Sequence, residues 1–174
     1  VGGFTWIPSV KQFKELRQKL LNSVPVAEEV AQLVLDNAHV LPNFTRETEY
    51  VALTSEKEYA LYDGDIGSTD TGKQPVKNYL SITNEFVVPY STAKYTKHYR
   101  NSYMVGALAR FNINYAQLSP LAKKWAAKFG LKAPNYNPFM NSVAQLIECM
   151  HSTEDSIALI DQLLERGLNA GEKP

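Results

Sequence analysis

Apolar residues fall at helical spacing early in the chain. Val10, Phe13, Leu16 and Leu20 form one stripe. Ser9 followed three residues later by Gln12 is a capping-box pattern, so a helix is expected to start there and run to Asn22. Pro25 suits the first turn of a second helix, where its missing N–H costs nothing. That helix carries Val26, Val30, Leu33 and Val34 and is expected to end near Asn37.

From Glu49 the period changes. The runs 50–54 and 58–62 are rich in aromatic and β-branched residues and are separated by polar Ser55, Glu56 and Lys57, which predicts a hairpin. Asp63-Gly64-Asp65 and Asp70-Thr71-Gly72 carry turn chemistry. Lys77 to Thr83 and Glu85 to Val88 read as further strands. The spacing leaves no room for a crossover helix between strands, which predicts an antiparallel sheet.

Helical spacing returns after Asn114. Ser119-Pro120 is a start signal and Gly130 a stop. Asn137-Pro138 repeats the start. Phe139, Val143, Leu146, Met150, Ile157, Ile160 and Leu164 then keep one stripe up to Gly167, with Ser152-Thr153 as a place for a kink. The predicted class is α+β: helices flanking a small antiparallel sheet, with a long C-terminal helix. The chain reads as one unit, 1–174, helical over 1–45, mainly β and loops over 46–114, and helical over 115–170.

Composition narrows the function. Hydrophobic residues make up 44% of the 174, enough for a core. Eighteen Lys and Arg balance eighteen Asp and Glu, so no global field favours nucleic acid or an anionic membrane. No apolar run reaches the roughly 18 residues of a membrane span. The single Cys149 excludes a disulfide framework or a Cys-rich metal site within this chain, and it fits a reducing, cytoplasmic setting. The opening Val1-Gly2-Gly3-Phe4 has neither an initiator Met nor a signal-peptide pattern, which points to a piece of a longer protein.

Several patterns invite chemistry and fall short of it. Glu148 and His151 have the spacing of one half of a di-iron pair, but the second pair and the two extra Glu residues are missing. A surface or interhelix hydrogen-bonded pair is the expectation, with Cys149 beside it as a small buried apolar residue. Asp63, Asp65 and Asp70 lack the bidentate Glu of a calcium loop and are expected to be turn residues. Ser91-Thr92-Ala93-Lys94 matches S-x-x-K, without the S-D-N and K-T-G partners that β-lactam-binding enzymes need. The stretch 90–100 interleaves Tyr90, Tyr95 and Tyr99 with Lys94, Lys97 and Arg100. Such a pattern can stack bases, yet no nucleic-acid motif frames it, and a protein interface is expected instead.

That stretch continues as Tyr103-Met104-Val105-Gly106-Ala107-Leu108-Ala109-Arg110. A Tyr-Ser-x-x-Lys-Tyr followed by Val-Gly-Ala-Leu-Ala-Arg resembles a signature of nickel–iron hydrogenase large subunits. Asn112 with Tyr115 to Lys123, Asn137-Pro138-Phe139, the stretch 144–148 and the stretch 157–164 follow in the order seen in the soluble, sulfhydrogenase-like branch. Val1-Gly2-Gly3 resembles the segment after that family's His-Pro. The resemblance implies a central part of a catalytic alpha subunit that oxidises hydrogen reversibly. It also implies an iron–sulfur small subunit and a flavin, NAD(P)-linked subunit as partners, and a cytoplasmic location. In that family two Cys-x-x-Cys motifs hold a nickel–iron centre, and neither is present here. No catalytic or metal residue therefore carries over, and no cofactor is expected on this portion. The residues that do carry over are Tyr90, Lys94, Tyr95, Gly106, Leu108 and Arg110, as scaffold or subunit interface. Arg110 is expected to be held by a carboxylate or by backbone carbonyls. Self-association through the first or the last helix is also expected. The rival expectation is a non-catalytic structural or partner-binding subunit of a related redox complex.

Overall fold

A computed structural model describes residues 6–169 and 171. The opening Val1–Gly3, which carries part of the resemblance, lies outside them.

The capping box forms as expected. Gln12 N–H donates to Ser9 Oγ at 3.3 Å, and the Ser9 amide donates to Gln12 Oε1 at 2.9 Å. The helix it starts, α1 (Val10–Asp36), does not stop at Asn22; it runs through Pro25 for 27 residues. Proline removes the donor that the Leu21 carbonyl would use, but Leu21 lies on an exposed face where water can replace it. Packing then overrides the local signal. Arg17 forks onto Asp161 at 2.5 and 2.8 Å, and Ala31 is fully buried. These contacts set α1 antiparallel to the last helix, α5 (Asn141–Arg166). At 26 residues α5 is roughly 39 Å long. It continues through Ser152-Thr153, where the Thr153 hydroxyl donates to the Cys149 carbonyl. Cys149 is exposed, not buried as expected, because the core-facing positions around it are Ile147, Met150 and His151.

Strand β1 (Glu49–Thr54) forms, but its expected partner over 58–62 is not a strand. Tyr59 and Ala60 are buried instead, and the Tyr59 hydroxyl donates to Glu148 on α5. β1 pairs antiparallel with β2 (Asp65–Ser68), and β2 with β3 (Gly72–Gln74). A side chain at Gly67 would come within 2.9 Å of Ile113, so glycine lets the sheet press on the helix below. On its other edge β1 pairs with β6 (Tyr103–Met104), and that pairing is parallel, a departure from the expected all-antiparallel sheet. The 48 residues between β1 and β6 serve as the crossover that a parallel pair needs. The order is β3-β2-β1-β6.

Lys77 to Thr83 is not a strand. A 3₁₀ turn over Val76–Asn78 leads into a short helix, α2 (Tyr79–Ile82). Pro75 suits a helical start, and the hydroxyls of Ser81 and Thr83 donate to the carbonyls of Asn78 and Tyr79. Ile82 then joins Val51 and Ile66 in a small second core. Strands β4 (Asn84–Val88) and β5 (Ser91–Lys97) make a separate two-stranded hairpin.

The main core is helical. It begins earlier than the sequence pattern implies, with α3 (Ala107–Asn114), followed by α4 (Pro120–Lys128). Pro120 occupies the first turn and Gly130, at φ +64°, ends the helix. Ser119 is the cap residue, yet its hydroxyl makes no capping bond. α5 takes over: Glu154 accepts the Leu121 amide at 2.9 Å, and His151 Nδ1 accepts the Ser119 amide at 3.2 Å. Leu108, Phe111, Trp125, Ile147 and Met150 fill the space between these helices. Burying each is worth about 1.5–3 kcal/mol.

Candidate functional site

The six residues singled out by the sequence divide into two places. Gly106, Leu108 and Arg110 stand at the start of α3. Gly106 has φ +93°, a conformation that L side chains rarely adopt, and it turns the chain from β6 into the helix. The Leu108 amide, an orphan donor of the first turn, is taken by Asn141 Oδ1 at 3.1 Å. Leu108 itself is fully buried.

Arg110 is held by a carboxylate. Its Nε and Nη2 donate to the two oxygens of Glu148 at 2.6 and 2.8 Å, and Tyr59 donates to Oε1 at 2.9 Å. The Arg110 and Glu148 side chains are 30% and 13% exposed, so this bidentate pair lies well inside the surface. Bonding to Glu148 raises the Arg110 pKa. Burial, then the Glu148 charge, pushes the Tyr59 phenol far up, so it stays a neutral donor. The cluster ties α3, α5 and the 58–62 segment together. Beside it lies an apolar cavity of about 370 Å³, with Val51, Leu53, Ile66, Ile82 and Tyr103 among its walls and Arg110 at its edge.

Tyr90, Lys94 and Tyr95 are elsewhere, on the β4–β5 hairpin. Tyr95 stacks obliquely on Phe86 across the ribbon and meets Tyr90 edge to face. Lys94 pairs with Glu85 at 2.9 Å, which raises its pKa through that hydrogen bond.

A third cluster has no counterpart in the sequence reading. Glu49 is fully buried and accepts four hydrogen bonds. They come from the Ser68 hydroxyl at 2.6 Å, His98 Nδ1 at 2.5 Å, and the Tyr99 and Arg100 amides, each at 3.1 Å. Burial alone would raise its pKa; the bonds from Ser68, His98 and Arg100 outweigh it and hold the carboxyl below its ordinary value. Arg100 also binds Asp70 and reaches Glu47 at 3.0 Å, so Asp70 does more than shape a turn. The local signal was weak: Glu49 opens a strand and His98 lies 49 residues away. Together these bonds fasten the root of the hairpin to the sheet.

Metal donors are dispersed. His39 sits against the Asp36 carbonyl, His98 on Glu49, and His151 in the core beside α4. Cys149 faces outward on α5. Among the described residues no three His, Cys, Asp or Glu side chains gather as a metal site would need. This donor set does not fit a thiolate-held nickel–iron centre.

No family model matches the chain. Among curated proteins it is similar to sulfhydrogenase 1 subunit alpha of Pyrococcus furiosus, with 29% identity over 168 residues, or 95% of this chain. Those residues span 39% of that relative's length. The chain thus resembles, along nearly all of its own length, one part of a sulfhydrogenase-like hydrogenase alpha subunit.

Proposed function

We propose that the chain is the central portion, as one unit, of the large subunit of a cytosolic nickel–iron hydrogenase. The complex would oxidise hydrogen reversibly and pass electrons through an iron–sulfur small subunit to a flavin subunit and NAD(P). The observation that carries this reading is the similarity over 95% of the chain to a sulfhydrogenase alpha subunit. Here the chain's own work is structural. Gly106, Leu108 and Arg110 lock α3 onto α5, and Tyr90, Lys94 and Tyr95 shape a surface for a partner. The nickel–iron centre, where the complex holds it, supplies the hydrogen chemistry; its ligands would come from other parts of the subunit. Among the described residues no helix is long and apolar enough to cross a membrane.

The test is made on the complex purified through this chain from its source. Elemental analysis should give about one nickel per copy, and hydrogen should reduce NAD(P) or a viologen dye. The chain expressed alone should carry no stoichiometric nickel once dialysed against a chelator. A complex without nickel or hydrogen turnover would overturn the enzymatic reading in favour of a non-catalytic, partner-binding subunit.

A further inference from the structure

The β4–β5 hairpin, given to a partner in the reading above, presents a surface that the fold itself does not use. It is a two-stranded ribbon outside the main sheet, and such ribbons are marginal in water unless another layer covers them. Its own chain covers it thinly: the Thr96 hydroxyl donates to Tyr103, and the Glu49 bonds hold its root. The rest points outward. Tyr90 is 79% exposed, Val87 77%, and Leu80 on the adjoining α2 also 77%. Phe86 and Tyr95 form a half-open aromatic floor, and the Lys97 ammonium lies 5.7 Å from the Phe86 ring centre.

Charge says what could cover it. The chain as a whole is neutral, but between residues 71 and 105 five Lys and Arg face the single acid Glu85. Three of the five already have carboxylate partners: Lys73 with Asp65, Lys94 with Glu85, and Arg100 with Asp70 and Glu47. Lys77 and Lys97 have no carboxylate partner among the described residues. A nucleic acid would be held mainly by many phosphate contacts, and two free ammonium groups are too few. An apolar centre rich in tyrosine, with isolated cations around it, has the composition of a protein interface core and rim.

We propose that the end of this hairpin, with Val87, Tyr90 and Tyr95 exposed around it, docks a protein partner that presents an apolar depression rimmed by Asp and Glu. Tyr90 and Val87 enter the depression, and Lys77 and Lys97 meet the rim. The proposal rests on the multisubunit reading above only in requiring that a partner chain exists, and its test needs neither nickel nor hydrogen.

The experiment places the photoreactive amino acid p-benzoylphenylalanine at position 87 (Val87→Bpa) in the native complex, with Lys19→Bpa on exposed α1 as control. Position 87 should cross-link to one other polypeptide in stoichiometric yield, at a surface bearing Asp or Glu, and position 19 should not. Tyr90→Ser with Lys97→Glu should weaken retention of that polypeptide at least about tenfold while the chain's circular dichroism is unchanged. Reversing a rim acid of the partner to Lys should restore binding to the Lys97→Glu chain. A cross-link to another part of the same polypeptide, to nucleic acid or to nothing overturns the proposal. So does a partner surface without acids, or retention indifferent to both substitutions.

Discussion

The helical half and the hairpin both carry aromatic and aliphatic side chains and use them in opposite ways. In α3, α4 and α5 these side chains face each other. Phe111 edges onto Tyr115, Trp125 lies against Phe129, and Lys128 caps the Trp125 ring at 3.9 Å. Even the polar groups turn inward: Trp125 Nε1 donates to Glu28 of α1 at 3.0 Å. In the hairpin, Tyr95 meets both Phe86 and Tyr90, but the outer side is left open. Hydrophobicity alone therefore does not identify the core. What distinguishes the two regions is whether a second layer exists to receive the apolar face.

The largest expected effect tests that contrast directly. Phe111→Ala should destabilise the chain by about 3–5 kcal/mol, since it opens a cavity between three helices. Val87→Ser, at the hairpin tip, should stay within about 0.5 kcal/mol. Urea denaturation of both variants checks the pair, and a comparable loss at Val87 would mean that the hairpin is part of the folding core.

Next in size is the clamp that ties α3, α5 and the 58–62 segment together. Arg110→Ala leaves Glu148, 13% exposed, with only Tyr59 as partner, and should cost about 3–5 kcal/mol at most, less what solvent restores. Arg110→Lys should recover only part of this, because an ammonium cannot bridge both oxygens in a plane. The measurement is the urea midpoint together with retention of co-purifying subunits. Unchanged values in both would show that the clamp holds nothing.

The smallest effect depends on pH. Burial lowers the His151 pKa from its ordinary 6.5, against the raising influence of Asp155, Glu154 and Glu148. Its Nδ1 accepts the Ser119 amide, so protonation there would break that bond. The unfolded chain takes up a proton near 6.5 that the folded chain refuses until lower pH. Stability should thus fall as pH drops below 6.5 and level off below the folded pKa. Stability curves from pH 7.5 to 5, compared with His151→Gln, isolate the contribution; parallel curves would assign the pH dependence to other groups.

Local chemistry read well where it acts locally. The Ser9 capping box, Pro120 at a first turn, the Gly130 stop and the long last helix all depend on residues within a few positions. Errors came where distant partners decide. Pro25 reads as a break, but α5 supplies the packing that keeps α1 whole. Residues 58–62 have strand composition, yet Tyr59 is drawn away by Glu148, 89 residues later. Of the site, Arg110 with a carboxylate partner was legible, because a lone cation in an apolar run must be neutralised. Glu49 was not: nothing near it in sequence announces four donors arriving from residues 68 and 98–100.

The parallel pairing of β1 with β6 sets Glu49 beside Tyr103 and Tyr50 beside Met104, so the chain returns to where it left. Everything between behaves as a closed excursion with a fixed mouth. The entropy of closing such a loop rises slowly, by about 0.6 kcal/mol for each doubling of its length. Length and sequence at the hairpin tip can therefore drift among relatives, or be regrafted in the laboratory, at small cost to the fold. The mouth is different: Glu49, Ser68 and His98 are its hinge pins, and a change there would unfasten the root of the hairpin from the sheet.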